Sequence, residues 1–286
     1  MRAVAIINQK GGVGKTTTVA NLGACLARLG QRVLLIDLDS QSNLTLHLAG
    51  EEGPLPGPTS FDLLVDGVDI ASAIRELPEE QVHIVQGSAD LAGIEQALAQ
   101  KIGREMLLRD ALADVQDRFD IVLIDCPPSL GVLSLNALVA ADEVLIPLQT
   151  EFFALQGMTQ LMEIVDVVRQ RLNPKLSVRG LLPCMVDLRT NLAHEVVEEL
   201  RAHCGHLLLR SRIRKNIKLA EAPSHGTSIL RYAPESNGAD DYLALAAELR
   251  ETTVAESVSA DTVVADCVPA PQGECATDEA SSSASA

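Results

Sequence analysis

Aromatic side chains are scarce in this chain of 286 residues, which has no Trp, two Tyr and four Phe. Aromatic faces are the platforms on which single-stranded nucleic acid stacks its bases, so recognition by base stacking is not expected. The 47% hydrophobic content still allows a sizeable core, enough for one α/β domain.

The cysteines lack the spacing of a metal site or a disulfide framework. Six are scattered along the chain without a C-x-x-C pair, at positions 25, 126, 184, 204, 267 and 275. We expect reduced thiols, with a packing role for the first four. The sequence also lacks an apolar run long enough to span a bilayer, and its first residues enter a strand and a glycine loop instead of a secretory signal, so a soluble protein is expected.

Positive charge is missing from the end of the chain. The formal net charge is −16, and residues 251–286 contain seven acids and no Lys or Arg, which leaves −9 for residues 1–250. The Ala- and Ser-rich composition of 251–286 predicts a disordered acidic tail after one folded domain over 1–250; it is either a solvated spacer or a partner-binding peptide. Because the body is acidic too, any contact with DNA requires a local basic patch.

Apolar runs alternate with helical patterns along most of the chain, which predicts an α/β fold with a mostly parallel sheet and helices on both faces. Strands are expected at 3–7, 33–37, 82–85, 119–124, 143–148 and 178–186. Helices are expected at 16–29, 61–66, 89–100, 104–117, 131–140, 155–172, 191–203 and 239–250.

A glycine-rich loop between the first strand and the first helix predicts a phosphate site. It comprises Lys10, Gly11, Gly12, Val13, Gly14, Lys15, Thr16 and Thr17. Successive glycines let main-chain N–H groups surround a phosphate, and the helix N-terminus adds partial positive charge. We expect Lys15 to reach the β- and γ-phosphates of a nucleotide and the Thr16 hydroxyl to bind Mg²⁺. The standard phosphate-loop pattern has Gly where this chain has Gln9. The chain lacks that glycine and has an additional lysine, Lys10, at the next position.

The string KGGVGKTTT resembles the deviant Walker A box of the ParA/MinD family of ATPases, which have a P-loop NTPase-like fold. Four other stretches match as well. Residues 33–39 look like the second strand and first switch of that family, and 121–131 resemble its Walker B strand and second switch. Residues 187–192 and 219–226 look like the chromosomal ParA (Soj) branch. The resemblance covers roughly residues 2–250.

Three acids at predicted strand ends should lie near the phosphate loop, because open α/β sheets bind ligands there. Asp125, after an apolar strand, is expected to accept from Mg²⁺-bound water as a Walker B aspartate does. Asp39 resembles the family residue that orients the attacking water, and Asp37 resembles a structural and Mg²⁺-side acid. For Asp37 and Asp39 a plain strand-end turn carboxylate is the alternative.

Lys10 is a second lysine beside the phosphates, where two ammonium groups repel unless the anion is highly charged. The family resemblance implies that Lys10 reaches the phosphates bound by the other subunit of an ATP-dependent homodimer. The expected catalytic set is therefore Lys10, Lys15 and Asp39. A solvated lysine is the alternative.

Basic residues cluster late in the chain, against the net acidic body. They include Arg201, Arg210, Arg212, Arg214, Lys215 and Lys218, with His203 and His206 beside them and Arg189 upstream. Such a cluster favours sequence-independent, salt-dependent contact with phosphates of double-stranded DNA. The DNA-binding residues expected are Arg189, Arg214, Lys215 and Lys218, since Arg189 and Lys215 align with DNA-binding positions of the Soj-like branch. A solvated face balanced by Glu195, Glu198 and Glu199 is the alternative.

The resemblance implies a cytoplasmic, nucleoid-associated ATPase of chromosome partitioning that uses ATP and Mg²⁺, binds DNA as a dimer and is released by a ParB-type partner. A ParA-like positioner of a plasmid, a chemosensory array or a carboxysome remains an alternative. A membrane-cycling protein like MinD would need a basic amphipathic C-terminal helix, whereas 239–250 holds three acids and one Arg. An iron protein of the nitrogenase type would need cluster cysteines, and none lies between Cys25 and Cys126.

Overall fold

The structure is a computed structural model that describes residues 1–50, 53–149, 156–187, 189–190, 195–196, 198, 200–202 and 205–251, with only the backbone at 156, 157 and 159. The predicted tail therefore lies outside the described residues apart from Glu251. Parts of the predicted helix 191–203 lie outside them as well.

Seven strands form one sheet in the order β3-β4-β2-β5-β1-β6-β7. They span Arg2–Ile6 (β1), Val33–Asp37 (β2), Ile74–Leu77 (β3), Val82–Val85 (β4), Ile121–Asp125 (β5), Glu143–Gln149 (β6) and Ser177–Cys184 (β7). All neighbours pair in parallel except β3 with β4. The predicted mostly parallel sheet is confirmed.

The central strands are apolar at every position because both faces of the sheet are covered. Successive side chains point to opposite faces, so Val122 and Ile124 join one buried cluster while Ile121 and Leu123 join the other.

Eleven α-helices lie wholly within the described residues, and residues 195–196, 198 and 200–202 are helical as well. The eleven are Lys15–Arg28 (α1), Asn43–Leu48 (α2), Ser60–Val65 (α3), Ile70–Ala73 (α4), Ile94–Ala97 (α5), Leu107–Ala113 (α6), Val132–Ala140 (α7), Gln156–Arg171 (α8), Ile217–Glu221 (α9), Ile229–Tyr232 (α10) and Asn237–Arg250 (α11). Two short 3₁₀ segments cover Ala89–Gly93 and Ala222–His225. Helices α1 and α11 pack against one face of the sheet, and α6, α7 and α8 against the other.

The prediction was wrong about several short elements. Strand β3 was not expected, since its sequence Ile-Arg-Glu-Leu carries two charges; it is an antiparallel edge strand, where charged side chains meet water. The predicted helix 89–100 is a 3₁₀ turn followed by the four-residue α5. The last strand ends at Cys184 and not at 186, because Met185 has a φ of 55°, outside the β region.

The sheet brings the carboxyl ends of three strands together beside the glycine-rich loop. Asp125 ends β5 and lies in register with Ile6 of β1 on one side and Asp37 of β2 on the other. The loop that follows β1 therefore lies next to both acids, at the edge where open α/β sheets bind ligands.

The three cysteines that the structure describes, Cys25, Cys126 and Cys184, are buried free thiols. Burial raises the pKa of Cys25 and of Cys184 to about 12, so these thiols stay neutral at pH 7 and act as small apolar side chains. The other three lie outside the described residues. None of the helices in the described part of the chain is both long and apolar enough to cross a membrane.

Truncating Leu123 should test the importance of the central strand. Leu123 is fully buried on the face of the sheet that α1 and α11 cover. Leu123→Ala should therefore lower the free energy of unfolding by about 2–5 kcal/mol. Leu46, whose residue surface is 53% exposed, is the matched control, and Leu46→Ala should change that free energy by less than about 0.5 kcal/mol. Urea denaturation measures both. Equal losses in the two variants would contradict the described burial.

Candidate functional site

The loop between β1 and α1 has the backbone of a phosphate cradle. Gly12 and Gly14 have φ values of 75° and 94°, in the region that residues with a Cβ rarely adopt. Gly14 also caps the N-terminus of the 14-residue α1, whose first N–H groups lack intrahelical partners. Exposed main-chain donors and the positive end of a helix therefore meet in one loop, which favours an anion.

Lys15 is held inside this loop. Its residue surface is only 7% exposed, and Nζ donates to the main-chain oxygen of Lys10 at 3.2 Å. Burial lowers the pKa of Lys15, and the negative charge of Asp125 opposes that shift, followed by Cys126 and Asp39. The ammonium group is therefore short of compensating charge, a condition that a polyphosphate would relieve.

Thr16 and Asp125 form the centre of the predicted metal site. Thr16 Oγ1 donates to Asp125 Oδ2 at 2.7 Å. Asp125 is fully buried, and its Oδ1 has no hydrogen-bond partner among the described residues. Burial, and next the charge of Asp37, raises the pKa of Asp125 well above its usual range.

This arrangement fits Mg²⁺, which is commonly bound by one or two carboxylates together with substrate phosphates and water. The unpartnered oxygen of Asp125 would accept from a water on the ion, and the Thr16 hydroxyl is beside it. No group of three or more His, Cys, Asp and Glu side chains in the described ranges is arranged to hold a metal by protein ligands alone.

Asp37 and Asp39 differ in what they contact. Asp37 is fully buried, and both of its oxygens accept hydrogen bonds: Oδ1 from the N–H of Asp39 at 3.1 Å, and Oδ2 from Thr45. Burial raises the pKa of Asp37 to about 6, with the hydrogen bonds from Thr45 opposing that shift. Its role on the Mg²⁺ side stays a prediction, and its contacts are those of a structural acid.

Asp39 is 9% exposed and lies close enough to Lys15 to influence its charge. Its Oδ1 accepts from the N–H of Gln41 at 3.0 Å, and its main-chain oxygen accepts from the N–H of Ser42 at 2.8 Å. Hydrogen bonds seen within the described residues end on Oδ1, which leaves Oδ2 for a ligand or water.

Lys10 stands at the exposed start of the loop. Its N–H donates to Asn8 Oδ1 at 2.9 Å, and Asn8 Nδ2 donates in turn to the main-chain oxygen of Pro147 at 2.7 Å. The main chain at Lys10 is therefore fixed to the first residues after β1 and to β6, while the residue itself faces solvent. This position is compatible with contact to a second molecule.

A largely apolar cavity of about 320 Å³ adjoins the loop and was missed by the sequence analysis. Its lining includes Gly14, Thr17, Met185, Ile213, Ile217 and Leu219. Met185 is 43% exposed and has the positive φ noted above, and its sulfur accepts a contact from Gln149 Nε2 at 3.0 Å. An apolar slot next to a phosphate cradle suits a planar base. The sequence signal that could have indicated this cavity is the position of Met185, just after the last strand and therefore at the carboxyl edge of the sheet.

The structure divides the basic residues that are neighbours in sequence. Arg189, Arg214 and Lys215 line one cleft of about 520 Å³. Lys218 lies in the short helix that follows, α9, where it pairs with Glu221 at 2.8 Å. Arg210 pairs instead with Glu248 and Glu251, and Arg201 pairs with Glu198 at 2.5 Å. The basic residues therefore form a smaller surface than the single patch expected from the sequence. The pairing of Arg201 with Glu198 is the kind of contact expected of the alternative, a balanced solvated face.

The predicted DNA-binding residues differ in exposure. The Arg189 side chain is 86% exposed and pairs with Asp187 at 2.8 Å. The Arg214 side chain is 33% exposed and makes a two-oxygen contact with Asp241, the closest distance being 2.6 Å. Arg189 can exchange its partner for another anion at little cost, whereas Arg214 also holds α11 to the segment before α9.

Comparisons with known proteins place the chain in a family. A family model described as an AAA domain matches residues 1–178. The sporulation initiation inhibitor protein Soj of Bacillus subtilis is 45% identical over 248 residues, which are 87% of this chain and 98% of that protein. The chromosome-partitioning ATPase Soj of Treponema pallidum is 44% identical over 248 residues, 87% of this chain and 96% of that protein.

Solved structures agree with the fold. Cobyrinic acid a,c-diamide synthase from Mycobacterium smegmatis, crystallised with an ATP analogue and magnesium, matches with a TM-score of 0.78 at 38% identity, covering 90% of this chain and 98% of that one. The phosphate loop, the buried strand-end acids and these matches lead to the same conclusion. The chain belongs to the ParA/MinD family of ATPases, in its Soj-like branch.

Proposed function

We propose that this partitioning ATPase hydrolyses ATP with Mg²⁺, binds double-stranded DNA without sequence preference as an ATP-dependent dimer, and leaves DNA when a ParB-type partner stimulates hydrolysis. The observation that carries this proposal is the buried Thr16–Asp125 contact beside an exposed second lysine, Lys10. The cellular setting that follows is the cytoplasm and the nucleoid. The partitioning role itself rests on the Soj relatives.

The phosphates of ATP lie in the loop formed by Lys10, Gly11, Gly12, Val13, Gly14, Lys15, Thr16 and Thr17. Lys15 neutralises the β- and γ-phosphates, which restores the charge that its burial makes costly. Bound Mg²⁺ would neutralise phosphate charge that develops during transfer. Thr16 and Asp125 would hold the ion and its water, and the apolar cavity beside Gly14 would accept the base.

Asp39 orients the attacking water. Its position near Lys15 and its Oδ2, which the described residues leave without a hydrogen bond, support this role. Asp37 contributes by holding the main chain of Asp39. A single carboxylate that orients a water without fixing the leaving group is consistent with slow intrinsic hydrolysis, so a partner has room to accelerate it.

Lys10 provides the link between nucleotide and dimer. Because it is exposed at the rim of the loop, it would reach phosphates held by a second copy. Each triphosphate would then be neutralised by lysines of both chains, and loss of the γ-phosphate would weaken the dimer.

DNA binding uses the cleft that Arg189, Arg214 and Lys215 line, extended by Lys218. The contacts are to phosphate, in keeping with the few aromatic residues of the chain. Within this set Arg189, Lys215 and Lys218 are the exposed groups, and Arg214 supports the cleft through Asp241.

The alternatives are less well supported. Membrane binding like that of MinD would need the apolar face of the last helix, but Ala239, Tyr242, Leu245 and Leu249 of α11 are buried against the sheet. The synthase name belongs to a protein at 38% identity, below the 45% of Soj from Bacillus subtilis. A plasmid, a chemosensory array or a carboxysome remains the alternative cargo.

Replacement of Lys15 should separate the nucleotide site from the rest of the fold. Lys15→Ala should weaken Mg²⁺-ATP binding by at least about 100-fold, because a charged hydrogen bond inside a buried site contributes about 3 kcal/mol. Calorimetric titration measures the affinity. Lys175→Ala, an exposed lysine before the amino end of β7, is the control and should bind like the unmodified protein. Near-normal affinity of Lys15→Ala would defeat the assignment of the loop.

Asp39→Ala should bind ATP and dimerise but hydrolyse about 100-fold more slowly, since water orientation is lost while the phosphate cradle remains. The variant should also stay on DNA in the presence of ATP. Phosphate release and size-exclusion chromatography measure the two properties. Asp114→Ala, an exposed acid after α6, should behave like the unmodified protein. If Asp39→Ala turns over normally, the catalytic role lies elsewhere.

Charge reversal of the cleft should remove DNA binding without affecting the dimer. Arg189→Glu with Lys215→Glu should greatly weaken ATP-dependent binding to two unrelated duplexes. For the unmodified protein, the logarithm of the binding constant should fall linearly with the logarithm of the salt concentration, with a slope of about −0.9 per phosphate contact. The control with the same charge change is Arg171→Glu with Lys175→Glu, both exposed before β7. The eight residues of β7 span roughly 26 Å and separate the two control positions from the cleft. Fluorescence anisotropy with ATP and with ADP provides the data. Tight binding with ADP, or equal weakening in the control, would count against this surface.

A further inference from the structure

The segment that carries Asp39 is fixed by a buried threonine in the next helix. Thr45, in α2, is 2% exposed and makes two hydrogen bonds to Asp37 Oδ2, from its N–H at 2.9 Å and from its hydroxyl at 2.7 Å. The other oxygen, Oδ1, accepts from the N–H of Asp39 at 3.1 Å. One carboxylate therefore joins Thr45 to the main chain of Asp39.

The threonine hydroxyl is itself oriented. Its oxygen accepts from the N–H of Gly87 at 2.9 Å, so its proton is directed to Asp37. Gly87 also limits the space around that carboxylate, because a Cβ at this position would lie 2.8 Å from Asp37 Cγ. Asp37 is therefore held from two sides, and the direction in which it presents Oδ1 to Asp39 depends on both.

We propose that Thr45 is a positioning residue for ATP hydrolysis, acting through Asp37 on Asp39. This inference rests on the role proposed above for Asp39. The hydroxyl of Thr45 bonds to Asp37 and accepts from Gly87, and it thereby fixes the carboxylate that holds the Asp39 main chain. A shift of about 1 Å in an orienting group is enough to slow a reaction considerably while binding is unchanged.

The test compares two variants with a matched control. Thr45→Val removes the hydroxyl with little change of shape, and Thr45→Ser restores it. Thr227 provides the control, since its buried hydroxyl also donates to a buried carboxylate, Glu80, at 2.6 Å and accepts from Arg231 at 3.4 Å. Thr227→Val therefore loses the same kind of interaction at a place that does not hold Asp39.

For Thr45→Val we expect kcat to fall about tenfold while KM for ATP changes by less than about twofold. Thr45→Ser should recover kcat to within about twofold of the unmodified protein. Thr227→Val should lower the midpoint of urea denaturation by about as much as Thr45→Val does, but its kcat should be that of the unmodified protein. Steady-state phosphate release gives kcat and KM. If Thr45→Val does not fold, Thr45→Ala gives the same comparison.

Combination with Asp39→Ala separates this inference from the proposed function. In that background, measured by phosphate release over hours with enzyme in excess, Thr45→Val should slow hydrolysis no further. A full additional tenfold loss, failure of Thr45→Ser to restore kcat, an equal loss of kcat in Thr227→Val, or normal kcat in Thr45→Val would each overturn the role of Thr45 while leaving that of Asp39. Normal hydrolysis by the single variant Asp39→Ala would instead overturn the role of Asp39 and, with it, this inference.

Discussion

Burial of the Asp125 carboxylate is the constraint on which the rest of the site depends. A buried charge without partners costs several kcal/mol, so its surroundings must supply donors or positive charge. Thr16 gives one hydrogen bond and Lys15 gives charge, and both stand in the first turn of α1. The start of that helix is therefore tied to the end of β5. The main-chain oxygen of Asp125 also accepts from the N–H of Leu38 at 3.1 Å, so the segment leading to Asp39 is tied to the same strand.

Two aspartates of similar appearance in the sequence are given different tasks by burial. Asp37 is the last residue of β2 and is enclosed, so its oxygens serve the protein's own donors. Asp39 stands two residues later, after the strand has ended, where the chain turns and the carboxylate comes near Lys15. The enclosed acid gives the segment its shape, and the other remains open to water.

The sequence predicted the parts of this site that are local. Strands buried on both faces have continuous apolar runs, and the phosphate loop is a single stretch of eight residues, so both were found. Strand β3 is a four-residue edge strand with two charged side chains, too short to show a periodic pattern. The cavity beside Met185 depends on contacts between distant segments, which leave no periodic signal either. The basic cluster shows the same limit. Arg210 and Arg214 are four residues apart in sequence but contact Glu248 and Asp241, which are about 10 Å apart along α11. Closeness in sequence therefore did not produce one patch.

Ion pairing also bears on why DNA binding should depend on the dimer. In one copy Arg189 and Lys218 already have carboxylate partners, Asp187 and Glu221. Exposed pairs of this kind contribute little because solvent screens their charges, so phosphate can replace the carboxylates, but the net gain per contact is small. A single copy with an acidic body would therefore hold DNA weakly. In the proposed function, two copies joined through ATP would present the surface twice to one duplex, and the second set of contacts would form at a high effective concentration. A weak, balanced surface is thus the kind that a dimerisation switch can control, since a strongly basic one would remain on DNA after the nucleotide had been hydrolysed.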